Sequence, residues 1–339
     1  MRLLRTISFV AVAVLAAGAM SFAEETAAAQ GSGSGLTGDK LQVKLFLYVN
    51  EMEMEIDSDA LNAPVRYLPN SPDILGIGMS YNGLGFRLTN VLESGVDDER
   101  LYGATKFRDY QLYYYSASLC ADLGYQRYRG FYLDKPESFG YTAGDPPTIR
   151  DDLELRNITF NLYYVISTRL SLPAAFEQTQ IQRESGGSFL LMMSLQQNDI
   201  SSDSSLIPPS AAPQVGMEYR GGRYYNALLG AGYGYGFICG HFFFTPVLMY
   251  GMGITRAREM LGADSVVRYD LAGKLIFKLG LGYNGESYYW GFSAVFDAVW
   301  YFVENADSGS SGQVVDEQLL DITVTTGYME MYFGMKFDI

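Results

Sequence analysis

The sequence predicts an all-β protein, a transmembrane antiparallel up-and-down β-barrel of about 12 strands. Apolar and polar residues alternate with a period of two along many stretches, which is typical of strands with one apolar and one polar face. Two tryptophans lie ten residues apart on one such apolar face. Short and long connections alternate between the stretches, as in outer-membrane barrels, where short turns and long loops lie on opposite sides of the membrane.

The composition of the 339 residues agrees with this fold class. The chain has 27 Tyr, 20 Phe and 37 Gly, while its mean hydropathy is close to neutral. High aromatic content without a hydrophobic average favours strands with mixed faces over membrane helices. The net charge of −14 argues against nucleic acid as a partner.

The amino terminus predicts export. Residues 1–23 have the pattern of a cleaved signal peptide, with a basic start, an apolar core at 7–19 and small residues before a cleavage site after Ala23. A signal anchor is the alternative, but the core is short for a membrane span. Residues 24–40 are expected to form a flexible periplasmic lead, and residues 41–339 the outer-membrane barrel.

Twelve strands are predicted from the alternation. Their ranges are 43–56, 74–81, 84–91, 106–115, 119–132, 155–167, 187–197, 224–238, 240 to about 255, 271–283, 290–302 and 327–339. The Asn-Gly pair at 82–83 is a strong type I′ turn signal, and the hairpin it predicts places Arg87 opposite Gly78. Residues 237–254 form the longest apolar run, but Pro246 and the alternation within it favour a strand over a membrane helix. An even strand count puts both termini in the periplasm.

The two tryptophans suggest a membrane girdle. Trp290 and Trp300 share the apolar face of one strand, and ten residues span ~33 Å along a strand. At a tilt of about 45° this projects to ~23 Å, close to the ~25 Å apolar band of outer-membrane barrels.

Polar residues on the opposite faces are candidates to line the lumen. The turn at 284–287 predicts a register in which Asn284 faces Ser287 and Lys274 faces Asp297, so an inward ion pair between Lys274 and Asp297 is expected. The full candidate set is Arg87, Asp109, Gln111, Asp122, Lys274, Lys278, Asp297, Glu330 and Lys336. Such a mixed polar interior is compatible with a channel or with a plugged barrel.

One connection on the predicted periplasmic side is unusually long. Residues 169–186 carry Arg169, Glu177, Arg183 and Glu184 around an apolar stretch, and connections of this length are usually functional or disordered. The segment is expected either to enter the lumen as a plug or to dock a periplasmic partner. A strand extension beyond the membrane is the alternative.

The closing strand, 327–339, is expected to pair with 43–56 because an open edge does not persist in lipid. Met329, Met331, Phe333, Met335 and Phe337 should face lipid, whereas Tyr328, Glu330, Tyr332, Lys336 and Asp338 should point inward. Its ending resembles the carboxy-terminal signal that outer-membrane barrels present to their assembly machinery. The positions that carry this signal are Tyr332, Gly334, Phe337 and Ile339.

No catalytic, cofactor or metal site is predicted. His241 is the single histidine, which excludes multi-histidine metal sites, and it is expected as a packed or lumenal side chain on the inward face of its strand. Cys120 and Cys239 lie near different turns, about three strands apart, so two free thiols are expected.

Three segments resemble a bacterial family, the domain of unknown function numbered 4421. They are L-G-I-G-M-S-Y-N-G-L-G-F-R-L at 75–88, Y-Q-R-Y-R-G-F-Y at 125–132 and S-L-P-A-A-F-E-Q-T-Q-I-Q-R-E-S-G-G-S-F-L at 171–190. The resemblance implies an outer-membrane barrel and no assigned activity. The third segment coincides with the long periplasmic connection.

The interpretation is therefore a non-enzymatic outer-membrane barrel. A narrow channel or transporter for small solutes is favoured, and a sealed interior would count against it. A structural or surface-interaction barrel without transport is the alternative, and a lipid-modifying enzyme is the third hypothesis.

Overall fold

The structure, a computed structural model, describes residues 40–71, 73–94, 99–145, 148–216, 218–262, 264–303 and 320–338. Its strands are β1 (Lys40–Asp57), β2 (Val65–Leu68), β3 (Asp73–Tyr81), β4 (Leu84–Ser94), β5 (Lys106–Tyr115), β6 (Leu119–Leu133), β7 (Ile149–Val165), β8 (Gly186–Ser201), β9 (Tyr219–Cys239), β10 (Phe242–Leu261), β11 (Asp264–Asn284), β12 (Tyr288–Val303) and β13 (Leu320–Asp338). Four short helical turns lie at Glu99–Tyr102, Pro136–Phe139, Pro173–Glu177 and Ala212–Val215. No helix within these described ranges is both long and apolar enough to cross a membrane.

Twelve of the strands close into an antiparallel ring, which confirms the predicted barrel and its strand number. Each strand pairs with its neighbour along the chain, and β13 closes the ring on β1 from Lys40 opposite Asp338 to Asp57 opposite Asp321. The end that carries Lys40 and Asp338 is called the terminal end below, and the opposite one the loop end. A further strand, β2, is absent from the predicted set and inserts between β1 and β6 at the loop end.

The predicted β3–β4 hairpin is confirmed. Asn82 and Gly83 both have positive φ, 51° and 79°, as a type I′ turn requires, and Arg87 lies opposite Gly78. The apolar run at 237–254 likewise forms strands, the end of β9 and the start of β10, and not a helix.

The predicted register between β11 and β12 is wrong by two residues. Asn284 lies opposite Tyr289, not Ser287, and Lys274 therefore lies opposite Val299. Three residues, 285–287, separate the strands, so the turn is longer than predicted. A slip of two preserves the face of every side chain, because the side-chain period of a strand is two.

The character of the inner wall changes along the barrel axis. At mid-barrel, polar side chains point inward and apolar ones outward, whereas the inward side chains near the terminal end are both polar and apolar. At the loop end the inward positions become apolar and form a closed core, to which β1 contributes Met52, Met54 and Ile56, and the loop before β9 contributes Leu206 and Ile207. Water is thus excluded from the loop end of the barrel.

Two sequence-based expectations fall outside the described residues. The signal peptide and flexible lead occupy 1–40, of which only Lys40 is described, and Ile339 of the terminal motif is also outside.

Candidate functional site in the barrel interior

The inner wall carries the nine side chains that the sequence offered as lumen lining, eight of them around mid-barrel and Lys336 near the terminal end. Seven of them are at most 7 % exposed: Arg87, Asp109, Lys274, Lys278, Asp297, Glu330 and Lys336. Gln111 and Asp122 are half-buried on the same face. The alternation of each strand directs them inward, because the neighbouring positions are the exposed apolar residues of the outer wall.

Two buried lysines are paired with aspartates. Lys274 Nζ lies 2.9 Å from Asp297 Oδ2 and donates to Gln196 Oε1 at 3.1 Å. The ion pair expected from the sequence is therefore present, although it joins diagonal positions and not opposite ones. Lys278 Nζ lies 2.6 Å from Asp122 Oδ2.

A four-residue charge cluster lies beside these pairs. Lys44 Nζ is 2.9 Å from Glu330 Oε1, and Arg87 Nη2 is 2.6 Å from Glu177 Oε1. Lys44 and Glu177 are 3.8 Å apart, and all four side chains are at most 6 % exposed. The sequence analysis missed Lys44, although its place between the outward Val43 and Leu45 marks it as inward.

Glu177 reaches this cluster because the connection between β7 and β8, residues 166–185, folds into the barrel. This stretch is called the inward segment. It forms a π-helical turn at Pro173–Glu177, all of which is buried, and ends it at Gln178, whose φ is 53°. Leu170, Leu172 and Phe176 belong to the apolar core at this end. The inward segment thus fills the terminal end of the lumen.

Polar contacts from the barrel wall hold the inward segment in place. Gln42 Nε2 donates to Gln178 O at 2.9 Å, and Gln178 Nε2 donates to Tyr332 Oη at 2.9 Å. Asn284 Nδ2 donates to Ala174 O at 3.1 Å and to Gln180 O at 2.8 Å. Lys336 Nζ orients that amide by donating to Asn284 Oδ1 at 2.7 Å.

Glycines of the wall make room for the segment. A Cβ at Gly280 would lie 2.6 Å from Ala175 O, and one at Gly234 would lie 2.8 Å from Leu170 Cδ2. Alternate residues of β9 from 230 to 236 are glycines, and a Cβ at the last of them, Gly236, would lie 2.8 Å from Gln182 Nε2. The cradle therefore depends on missing side chains on β9 and β11.

The structure separates the four charged residues predicted in this connection. Glu177 lies inside the barrel, whereas Arg169, Arg183 and Glu184 are exposed at the terminal end. Arg183 Nη2 is 3.6 Å from Glu286 Oε1, a solvated pair on the rim. Only the buried glutamate therefore bears on the lumen.

A cavity of about 100 Å³ lies at mid-barrel between the inward segment and the loop-end core. Its wall includes Arg87, Asp122, Lys278 and Asp297, two residues of each charge. Among the described residues, four buried polar atoms of the lining have no hydrogen-bond partner; they are Arg87 Nε, Asn161 Oδ1, Tyr163 Oη and Asp297 Oδ1. Buried polar atoms are normally paired, so this cavity offers a polar guest one donor, two acceptors and a hydroxyl that can do either.

His241 is not where the sequence placed it. It lies in the turn between β9 and β10, exposed, with Nδ1 3.3 Å from Asn284 O and its ring centroid 5.4 Å from that of Tyr283. The prediction of a packed or lumenal histidine is wrong because β10 begins at Phe242, two residues later than predicted, which leaves His241 in the turn. Cys120 and Cys239 are free thiols, as expected.

Aromatic residues stand at both ends of the outer wall. Trp290 is 44 % exposed and packs against Phe242 and Tyr283. Trp300 is half-buried over Gly273. On β13, Met331, Phe333, Met335 and Phe337 are exposed, in agreement with the predicted lipid face. Asp338 is exposed at the rim beside Lys40 and does not line the lumen.

Comparison with protein families decides the relationship of this chain. The model of the family described as "Domain of unknown function (DUF4421)" matches residues 37–309. The chain belongs to this family. No curated protein matches the chain.

Solved structures with similar folds are outer-membrane proteins. The outer membrane protease OmpT from Escherichia coli has 6% identity and a TM-score of 0.36 over 89% of this chain and 99% of its own. An anion-selective porin from Comamonas acidovorans has 13% identity and a TM-score of 0.17, with 86% and 99% covered. The toluene transporter TodX from P. putida has 9% identity and a TM-score of 0.18, with 89% and 91% covered. The DUF4421 protein is a transmembrane antiparallel β-barrel.

The expectation that the chain is not an enzyme is corrected by this comparison. A protease stands among the neighbours, so the barrel class does not exclude catalysis. At this identity and TM-score, the likeness assigns no activity to the DUF4421 protein.

Proposed function

We propose that the barrel is a gated transporter for small polar solutes, with the inward segment as its gate. The observation that carries the proposal is the charged cavity of about 100 Å³ at mid-barrel. Its volume suits about three waters or one solute of similar size, since a liquid water occupies about 30 Å³. Charges of both signs on its wall favour a zwitterionic or strongly dipolar solute.

Gating follows from the contents of the lumen. The inward segment fills the terminal end and the apolar core fills the loop end, so a static open pore is not the working state. The inward segment is held by side-chain contacts and by one β-bridge at Ile181, and Glu177 joins it to Lys44 and Arg87. Loss of these contacts frees a path from the cavity to the terminal end, and opening of the loop-end core completes the path across the membrane.

Solute flux tests the proposal directly. The protein is reconstituted into phosphatidylcholine vesicles, and swelling in isosmotic glycine is compared with swelling in a disaccharide. The wild type should admit glycine slowly and the disaccharide not at all. Glu177→Gln should raise the glycine rate several-fold, because the neutral amide no longer pairs with Arg87 and Lys44.

The matched control is Glu286→Gln, which removes an exposed glutamate from the rim and should leave the rate unchanged. Folding of each protein is verified by circular dichroism. Absence of glycine flux in folded wild type and folded Glu177→Gln would overturn the transporter proposal.

We also propose the route to the membrane. Residues 1–23 act as a cleaved signal peptide, and the ending from Tyr332 engages the barrel assembly machinery. The terminal end then faces the periplasm and the loop end the outside of the cell. Amino-terminal sequencing of the mature protein should begin at Glu24, and a start at Met1 would contradict cleavage.

A further inference from the structure

A row of arginines crosses the outer wall of six neighbouring strands, β5 to β10. In each case the adjacent residue along the strand points inward, so these side chains point outward. The row consists of Arg108, Arg127, Arg156, Asp199, Arg223 and Arg258, each directly opposite the next. Arg256 joins it from the neighbouring position on β10, and the six arginines are called the arginine band.

The band has too few anions to neutralise it. Asp199 pairs with Arg156 and with Arg223, and Glu154 pairs with Arg127 at 2.8 Å. Arg108 and Arg256 have no ion pair among the described residues. Like charges directly opposite one another destabilise a sheet, and a chain of net charge −14 has no shortage of acidic residues. An external anion is therefore the natural complement.

The band marks the edge of the apolar outer wall. On five strands the next outward residues toward the terminal end are apolar or aromatic; they are Tyr110, Tyr125, Ile158, Tyr225 and Ile254. Tyrosines are typical of the membrane interface, and a long arginine stem reaches from there to the headgroup level. The guanidinium groups thus lie where the phosphates of a lipid leaflet lie.

On the opposite side of the barrel, the outward residues at the same level are acidic or neutral on β1 and β13. There, Glu53 and Glu55 of β1 lie opposite Thr325 and Thr323 of β13. The basic edge is therefore confined to one side, as expected for a binding surface and not for a general requirement of the membrane interface.

We infer that the arginine band binds the phosphate groups of outer-leaflet glycolipids, with the loop end outside the cell as proposed above. Arginine binds phosphate through two parallel N–H···O bonds. Five strand spacings of about 4.8 Å give the row a width of about 24 Å, enough for several phosphates. The occupant is a lipid and not free phosphate, because the apolar wall beneath the band takes up the acyl chains.

Thermal unfolding in dodecyl maltoside micelles tests the inference. Added diphosphoryl lipid A should raise the Tm of the wild type by several degrees, since a ligand that binds only the folded state stabilises it. Monophosphoryl lipid A should give a smaller shift, and inorganic phosphate at the same concentration none. The triple variant Arg108→Gln/Arg223→Gln/Arg258→Gln should lose the lipid shift, and the corresponding lysine variant should keep part of it.

The matched control replaces three arginines outside the band, Arg169→Gln/Arg183→Gln/Arg220→Gln, and should keep the full shift. An equal shift with inorganic phosphate, or an undiminished shift in the glutamine variant, would overturn the inference. The test is independent of transport, because it requires no flux through the lumen.

Discussion

At the scale of single residues, the stability of the barrel interior depends on buried charges of opposite sign that pair with one another. Lys44 and Arg87 face Glu177 and Glu330, two of each sign, and all four side chains are buried. Glu330 Oε1 also accepts from Ser293 Oγ at 3.0 Å. Removing one member of a buried ion pair is costly because its partner keeps the desolvation cost and loses the attraction.

Glu330→Gln should therefore lower the free energy of unfolding by about 3–5 kcal/mol. The amide keeps the shape of the side chain, so lost charge and not a cavity is the cause. Urea unfolding in vesicles, followed by tryptophan fluorescence, measures the change. Asp338→Asn, which breaks the exposed pair with Lys40, should cost under about 1 kcal/mol. Equal effects of the two substitutions would contradict this account.

A second prediction at this scale concerns pH at the loop end, beyond the apolar wall. Hydrogen bonds from the Arg150 guanidinium lower the pKa of Asp152 to about 2. Arg150 in turn donates to Ser205 O at 2.8 Å and to Ser204 O at 3.1 Å, which holds the loop after β8. Because the carboxyl pKa is lower in the folded state, its contribution to stability is present above pH ~4 and is lost as pH falls toward 2.

Hydrogen exchange at residues 202–216, corrected for intrinsic rates, should therefore accelerate between pH 4 and pH 2. Asp152→Asn should exchange fast throughout and show little further change in this window. Glu218→Gln, which removes an exposed partner of Arg220, should keep the wild-type profile. A wild-type profile that is flat in the window would count against the role of Asp152.

At the scale of elements, the inward segment shows what the sequence can predict. The sequence alone shows that this connection is unusually long for the side of the barrel that carries the short turns. Its interior position was left open between a plug, a docking site and a strand extension, because the contacts that decide it are non-local. Glu177 pairs with Lys44 of β1 and with Arg87 of β4, which precede it in the chain by 133 and 90 residues.

The glycine cradle gives a prediction for this element. Gly280→Leu should displace the inward segment, because a Cβ there would lie 2.6 Å from the Ala175 carbonyl oxygen. Cysteine accessibility reports the displacement: in a Cys120→Ala, Cys239→Ala background, Ala174→Cys should react with a maleimide much faster when Gly280→Leu is present. Gly124→Ala is the control, since its Cβ would meet nothing within 4 Å. Unchanged reactivity in folded Gly280→Leu would show that the cradle does not seat the segment.

At the scale of the whole molecule, the sequence predicts on which face of the sheet each side chain lies. It did not predict where along the barrel axis the polar interior gives way to the loop-end core. Strand number, faces and ring closure follow from alternation, which is local. The sequence analysis expected a polar interior throughout and so missed the loop-end core. The signal was present on β1, where the two faces exchange character after Asn50: Glu53 and Glu55 turn outward while Met52, Met54 and Ile56 turn inward. This exchange marks where the wall leaves the lipid and the barrel continues like a water-soluble protein.

The same exchange of faces predicts how much an introduced charge destabilises the protein at each outward position of the wall. Leu248 lies midway along the outward apolar positions of β10, and Ile254 is the last of them before Arg256. Leu248→Arg should lower the free energy of unfolding in vesicles by about 2–4 kcal/mol, and Ile254→Arg by about 0–1 kcal/mol, because the cost of a charge falls from the bilayer midplane to the interface. Both side chains are more than half exposed on the outer wall, at 53 % and 63 %, so lost packing does not distinguish them. Equal costs at the two sites would mean that the apolar band is not centred on Leu248, and the assignment of the lipid boundary to the arginine band would fail with it.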